Sequence, residues 1–173
     1  MTATGTVAQV STLASHTALS VWGVANDFLI VIILLALLFL FAKYVGRGSF
    51  VALLVALYAG YAPFVIFPYA SFLPTTPPLT ALLAHIGLYV AFVFIFFLIL
   101  RRVIVSDFLY IGYFGLLILS FLGAAFLIAL ASHVFAIASV YNFTPAISAL
   151  FSPDKYFFWW FSGPAIGLLF FAR

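Results

Sequence analysis

After Asp27 the chain runs to Phe41 through Phe, Leu, Ile, Val and Ala alone. A segment of that kind has few folded fates. A helix rises about 1.5 Å per residue, so crossing a hydrocarbon core of about 30 Å takes about 20 apolar residues. Segments of this character recur, and they predict spanning helices at about 24–41, 50–67, 79–100 and 108–130. A fifth apolar stretch, 156–172, is short and is interrupted by Gly163-Pro164. It either crosses with a kink or lies at the interface as a half-span. The expected fold class is all-α: a polytopic transmembrane helical bundle of four spanning helices and a fifth kinked, short or half-spanning C-terminal helix.

Composition leads to the same solvent. Of the 173 residues, 68% are hydrophobic and 5% are charged, whereas a water-soluble domain carries about a quarter charged residues to cover its surface. Lipid is therefore the expected exterior, and the lipid bilayer the first expected partner. Residues 1–20, rich in Ala, Thr, Ser and Val and without Asp, Glu, Lys or Arg, read as a polar uncharged N-terminal tail, either weakly structured or lying on the surface as a helix. Residues 21–173 form a single transmembrane helical domain. The first basic residue, Lys43, follows the first apolar run, so no cleavable signal peptide is expected. The chain has no Cys, which excludes disulfides and thiolate chemistry.

The breaks between segments are chemically distinct. Lys43, Gly46, Arg47, Gly48 and Ser49 separate the first two segments. Pro68, Pro74, Pro77 and Pro78 form a stiff, uncharged second connection. Arg101 and Arg102, then Ser106-Asp107, separate the third segment from the fourth. Pro145, Ser152, Pro153, Asp154 and Lys155 mark the last connection.

Six basic residues against three acidic ones form no patch, and nucleic acid is not an expected partner. Lys43, Arg47, Arg101 and Arg102 read instead as topology determinants. They fall in the first and third connections, which alternation places on one face. The positive-inside rule makes that face cytoplasmic and puts the N-terminus outside. Trp22, Tyr69, Tyr141, Tyr156, Trp159 and Trp160 then fall near the outer boundary, and Tyr44, Tyr110 and Tyr113 near the inner one, as amphipathic rings prefer.

Gly48, Ala52, Ala56 and Gly60 recur every fourth residue and make a small-residue stripe for helix packing, either within the chain or in a homo-oligomer. Ala125 and Ala129 form a shorter stripe leading to His133. Three acids and three histidines are the only strongly titratable candidates. Asp27 reads first as a helix-terminal acid at the outer boundary, and second as a proton or coupling site. Asp107 opens the fourth segment in the same way. His85 and His133 fall on the same side as Asp27, and the three together are the candidate proton or ion site. The competing expectation is that each bonds a backbone carbonyl or faces head groups. His16 carries no signal.

No metal-ligand spacing, phosphate loop, dinucleotide fingerprint or nucleophile elbow is present, so no catalytic, cofactor or metal residues are assigned. Asn142-Phe143-Thr144 matches a glycosylation sequon, weakened by the Pro145 that follows.

Several features together resemble the colicin V production protein family of bacterial inner-membrane proteins. They are Asn26-Asp27 opening the first helix, Gly46-Arg47-Gly48-Ser49-Phe50 at the next turn, the basic pair Arg101-Arg102, and Asp107 followed by Gly112 and Gly115. The resemblance covers about residues 26–130. The chain differs in lacking a basic residue directly after Asp107 and in its added aromatic C-terminal stretch. The resemblance implies a bacterial cytoplasmic-membrane protein associated with envelope maintenance or with toxin or solute export, with no firm biochemical activity. An enzyme is not expected, because the polar groups needed for acid/base chemistry are so few. A small oligomeric channel or transporter subunit for a proton, ion or small solute is the alternative. Other membrane proteins or further copies of the chain are the expected partners.

Overall fold

The computed structural model describes residues 25–69, 73–103, 111–135, 137, 140–141, 143–151 and 154–171. The tail 1–20, Trp22, Asp107, Tyr110, Asn142 and Arg173 lie outside them. The described residues are helical, with no strand among them. Four helices are long and apolar enough to cross a membrane: α1 (Ala25–Tyr44), α2 (Arg47–Val65), α3 (Pro78–Val103) and α4 (Tyr113–His133). A short α5 (Pro145–Phe151) and an 18-residue α6 (Asp154–Phe171) follow.

The helix boundaries follow local chemistry. Gly46 has φ 111°, a left-handed conformation that reverses the chain between Tyr44 and Arg47 at no Cβ cost. Pro78 opens α3, where a missing N–H leaves no bond unmade. The fourth helix starts at Tyr113 after the N-cap Gly112, later than the start near 108 that hydropathy predicts. Gly112 is extended, with ψ 161°, so apolar character continues through 111–112 while the backbone is not yet helical. α5 lies within what the sequence presents as a connection. Seven residues are too few to stand out by periodicity.

Among α2 to α6, the α2–α3 hairpin and the α4–α6 pair make the most extensive helix contacts. Because α2 and α3 are antiparallel, Arg47 and the Arg101-Arg102 pair sit at one end of the bundle, here termed the basic end. The Arg47 guanidinium lies 5.4 Å from the ring centre of Tyr113 at the start of α4, and the Lys43 ammonium lies 5.9 Å from that of Tyr44. The Pro-rich connection marks the opposite end.

α6 runs beside α4 from one end to the other. At the Pro-rich end, Phe157 stacks on His133 with ring centroids 4.5 Å apart. In the middle, a Cβ on Gly163 or Gly167 would come within 3.3 Å of Leu122. At the basic end, a Cβ on Gly115 would meet Phe171 at 3.0 Å. The helix is continuous through Pro164.

α4 is the centre of the bundle. Its Gly123 is held against Leu38 of α1 and Leu54 of α2. Tyr58 of α2 packs its ring between Phe126 of α4 and Phe161 of α6, at 4.9 and 5.2 Å. Its hydroxyl donates to the Phe161 carbonyl. Tyr89 of α3 donates to the Leu57 carbonyl of α2 at 2.9 Å. Each phenol thus ties two helices and satisfies the one donor it brings into apolar surroundings.

Candidate functional site

Asp27 lies in the first described turn of α1, yet its side chain does not face water. It is 1% exposed, and Asp27 and Ser120 are the two buried polar residues among those described. The connection from α4 to α5 folds over it. Tyr141 donates its hydroxyl to Oδ1 at 2.7 Å. Thr144 donates its backbone N–H to Oδ2 at 2.7 Å and its hydroxyl to the same oxygen at 2.6 Å. Asn26 donates its side-chain amide to the Tyr141 oxygen at 3.3 Å.

Thr144 is also the N-cap residue of α5, because its carbonyl accepts the Ser148 N–H at 2.9 Å. A Thr in that position ordinarily turns its hydroxyl onto its own helix; here it turns to Asp27. The carboxylate therefore fixes the start of α5 against α1. Three donors with no cationic partner among the described residues suit a structural carboxylate, since hydrogen bonds to a charged acceptor are short and strong. The same bond pushes the Tyr141 phenol above its ordinary value of 10.0, with burial and the nearby charge acting in the same direction.

His85 and His133 are engaged elsewhere. His85 Nδ1–H donates to the Ala81 carbonyl at 2.8 Å, and the ring borders a cavity of about 350 Å³ with Thr75, Pro78 and Phe135. His133 Nδ1–H donates to the Ala129 carbonyl at 3.2 Å. Its Nε2 lies 3.4 Å from a carboxylate oxygen of the exposed Asp154, without the geometry of a hydrogen bond. Among the described residues no hydrogen bond or ion pair joins any two of Asp27, His85 and His133. Nor is there a group of three His, Cys, Asp or Glu side chains able to hold a metal ion among them.

Gly48, Ala52, Ala56 and Gly60 are all buried within the chain. Gly60 makes the closest approach: a Cβ there would meet the Val93 backbone nitrogen at 2.9 Å. Arg101 and Arg102 are exposed in the last turn of α3.

Two sets of functional positions escape sequence reasoning. Tyr141 reads as an interfacial aromatic and Thr144 as part of a sequon. Neither carries a signal that points to Asp27, more than a hundred residues earlier. Gly163 and Gly167 are different, because their four-residue spacing is a recognisable close-packing signature, obscured by the adjacent Pro164. Ser120 is a further surprise. It is fully buried at the centre of α4, and its hydroxyl has no hydrogen-bond partner among the described residues.

No family model, no curated protein and no solved structure matches this chain.

Proposed function

We propose that this chain is a non-enzymatic integral protein of a bacterial cytoplasmic membrane, acting as an assembly or scaffolding subunit in envelope maintenance or in assisting toxin or solute export. α1 to α4 cross the bilayer with the N-terminus outside and the basic end in the cytoplasm. α6 crosses as a fifth span, supported by its contacts with α4 from His133 to Gly115. Residues 26–130 supply the resemblance to the colicin V production family, and the envelope or export role comes from that resemblance.

One observation carries the scaffold reading. The buried acid of α1 accepts three hydrogen bonds from the α4–α5 connection, so the group best placed to move a proton or ion is engaged in holding helices together. What the protein presents outward is apolar: Leu29, Ile33 and Leu37 of α1, and Val90, Phe94 and Leu98 of α3, are all exposed. In a bilayer, such faces meet lipid or another helix.

The test is affinity capture of the tagged full chain in mild detergent, with mass spectrometry of what is retained, beside flux measurements in liposomes. A stable partner or homo-oligomer, with solute flux unaffected by Asp27→Asn and His85→Ala, is the expected result. Flux that either substitution abolishes would replace this reading with the oligomeric channel or transporter, which the cavity beside His85 and Thr75 favours.

A further inference from the structure

Below the cavity that His85 borders lies a second one of opposite character. It is a cleft of about 450 Å³ whose walls come from α1, α2, α3 and α4. Phe135 borders both, so the two adjoin. The cleft runs along the helices. Its walls include Leu34 to Leu38 on α1, Leu57 back to Leu53 on α2, and Ile86 to Val93 on α3. From His85 to Val93 the α3 rise alone is about 12 Å. The one hydroxyl on the cleft wall, that of Tyr89, already donates to the Leu57 carbonyl. The cleft thus offers apolar contact only.

The upper cavity offers hydrogen bonding. With Nδ1–H of His85 donated to Ala81, the Nδ1–H tautomer leaves Nε2 as an acceptor. Thr75, which brings a hydroxyl, lines the same cavity. An acceptor and a donor at the mouth of an apolar cleft match a head group that carries both an N–H donor and a phosphate. On the topology proposed above, the mouth lies at the outer head-group layer and the cleft points toward the middle of the bilayer.

We infer that the two cavities together bind one phospholipid of the outer leaflet, with an acyl chain in the cleft and an amine-bearing phosphate head group at His85 and Thr75. The inference rests on the membrane reading of the chain. Chain burial supplies the affinity, and the head-group contacts supply selectivity for a primary ammonium, which can donate to Nε2, over a trimethylammonium, which cannot.

The experiment is native mass spectrometry of the full chain, delipidated in mild detergent and titrated with phosphatidylethanolamine or with phosphatidylcholine of the same acyl chains. One bound phosphatidylethanolamine per chain is expected, with a preference over phosphatidylcholine of about three- to tenfold, the value of one hydrogen bond. His85→Ala should abolish the preference and leave chain binding in place. Ala131→Phe, which fills the cleft from α4, should lower binding of both lipids at least about tenfold. Val90→Trp does so from an exposed position on α3 and keeps the test open if the core substitution fails to fold. Equal occupancy in the wild type and both cleft variants would overturn the cleft, and an unchanged preference in His85→Ala would overturn the mouth. The scaffold reading is judged separately, by the oligomer and partner masses in the same spectra. A chain that is monodisperse without detergent overturns the membrane reading itself.

Discussion

Thr144 donates both its backbone N–H, at 2.7 Å, and its hydroxyl, at 2.6 Å, to one oxygen of Asp27, 117 residues away in the sequence. Tyr141 holds the other oxygen at 2.7 Å. A single side chain in the first described turn of α1 is thereby fixed to the beginning of α5.

Breaking this junction should destabilise the fold. Asp27→Asn keeps the shape but replaces one acceptor oxygen with a donor that faces existing donors. Thr144→Val removes one donor and leaves the carboxylate. Each is expected to cost about 1.5–3 kcal/mol, the range for hydrogen bonds to a charged group. Unfolding of the two single variants and the double variant in detergent checks this. The double variant should cost clearly less than the sum, because the two residues share one contact.

Tyr141 makes the same junction sensitive to alkali. Its phenol is raised above 10.0 in the folded protein by the bond to Asp27, so the folded state holds that proton more tightly than the unfolded chain does. The resulting stability is fully present below about pH 10, the unfolded value, and is lost as pH rises through the folded one. Thermal unfolding measured from pH 8 to 11.5 should show a steeper loss in the wild type than in Tyr141→Phe, which should be less stable at pH 8.

The α2–α3 seam should discriminate between two glycines. At Gly60 a new Cβ would lie 2.8 Å from the Val93 side chain and 2.9 Å from its backbone nitrogen, and backbone cannot step aside. Gly60→Ala should therefore cost about 1–3 kcal/mol, as overpacking does. At Gly87 nothing lies within 4 Å, and Gly87→Ala should be neutral or mildly stabilising. Melting temperatures of the two variants, in the same detergent, decide the matter.

Ser120 should behave in the opposite sense to an ordinary buried polar residue. Its hydroxyl is fully buried and has no partner among the described residues, so Ser120→Ala removes an uncompensated cost. The substitution should raise stability by up to about 1 kcal/mol. A loss of stability would instead reveal a partner for the hydroxyl.

The topology is open to labelling, because the chain has no native Cys. Lys155→Cys should react with an impermeant thiol reagent from outside intact cells, and Arg102→Cys only after permeabilisation. A reporter fused after Phe171 should be active in the cytoplasm, since α6 follows α4 back to the basic end. External activity of that reporter would make α6 a half-span.

What the residue order determines by itself is the long helices and most of the breaks between them. Long apolar runs punctuated by Gly46, the proline cluster and the arginine pair admit little but a helical bundle, and α1 to α4 fall within a few residues of the predicted spans. It does not determine which helix becomes the centre. α3 and α4 have nearly the same hydropathy, 2.6 and 2.5, yet 11% of the first and 61% of the second is buried. Hydropathy measures the preference for leaving water, and lipid and protein interior satisfy that preference equally well. The distinction comes from shape. Gly115, Gly123, Ala124, Ala125 and Ala129 let neighbours close around α4, while the larger side chains along α3 project outward. The partners of Asp27 were equally beyond reach of the sequence. A carboxylate announces that it needs donors, but only the folding of a distant connection selects Tyr141 and Thr144 to supply them.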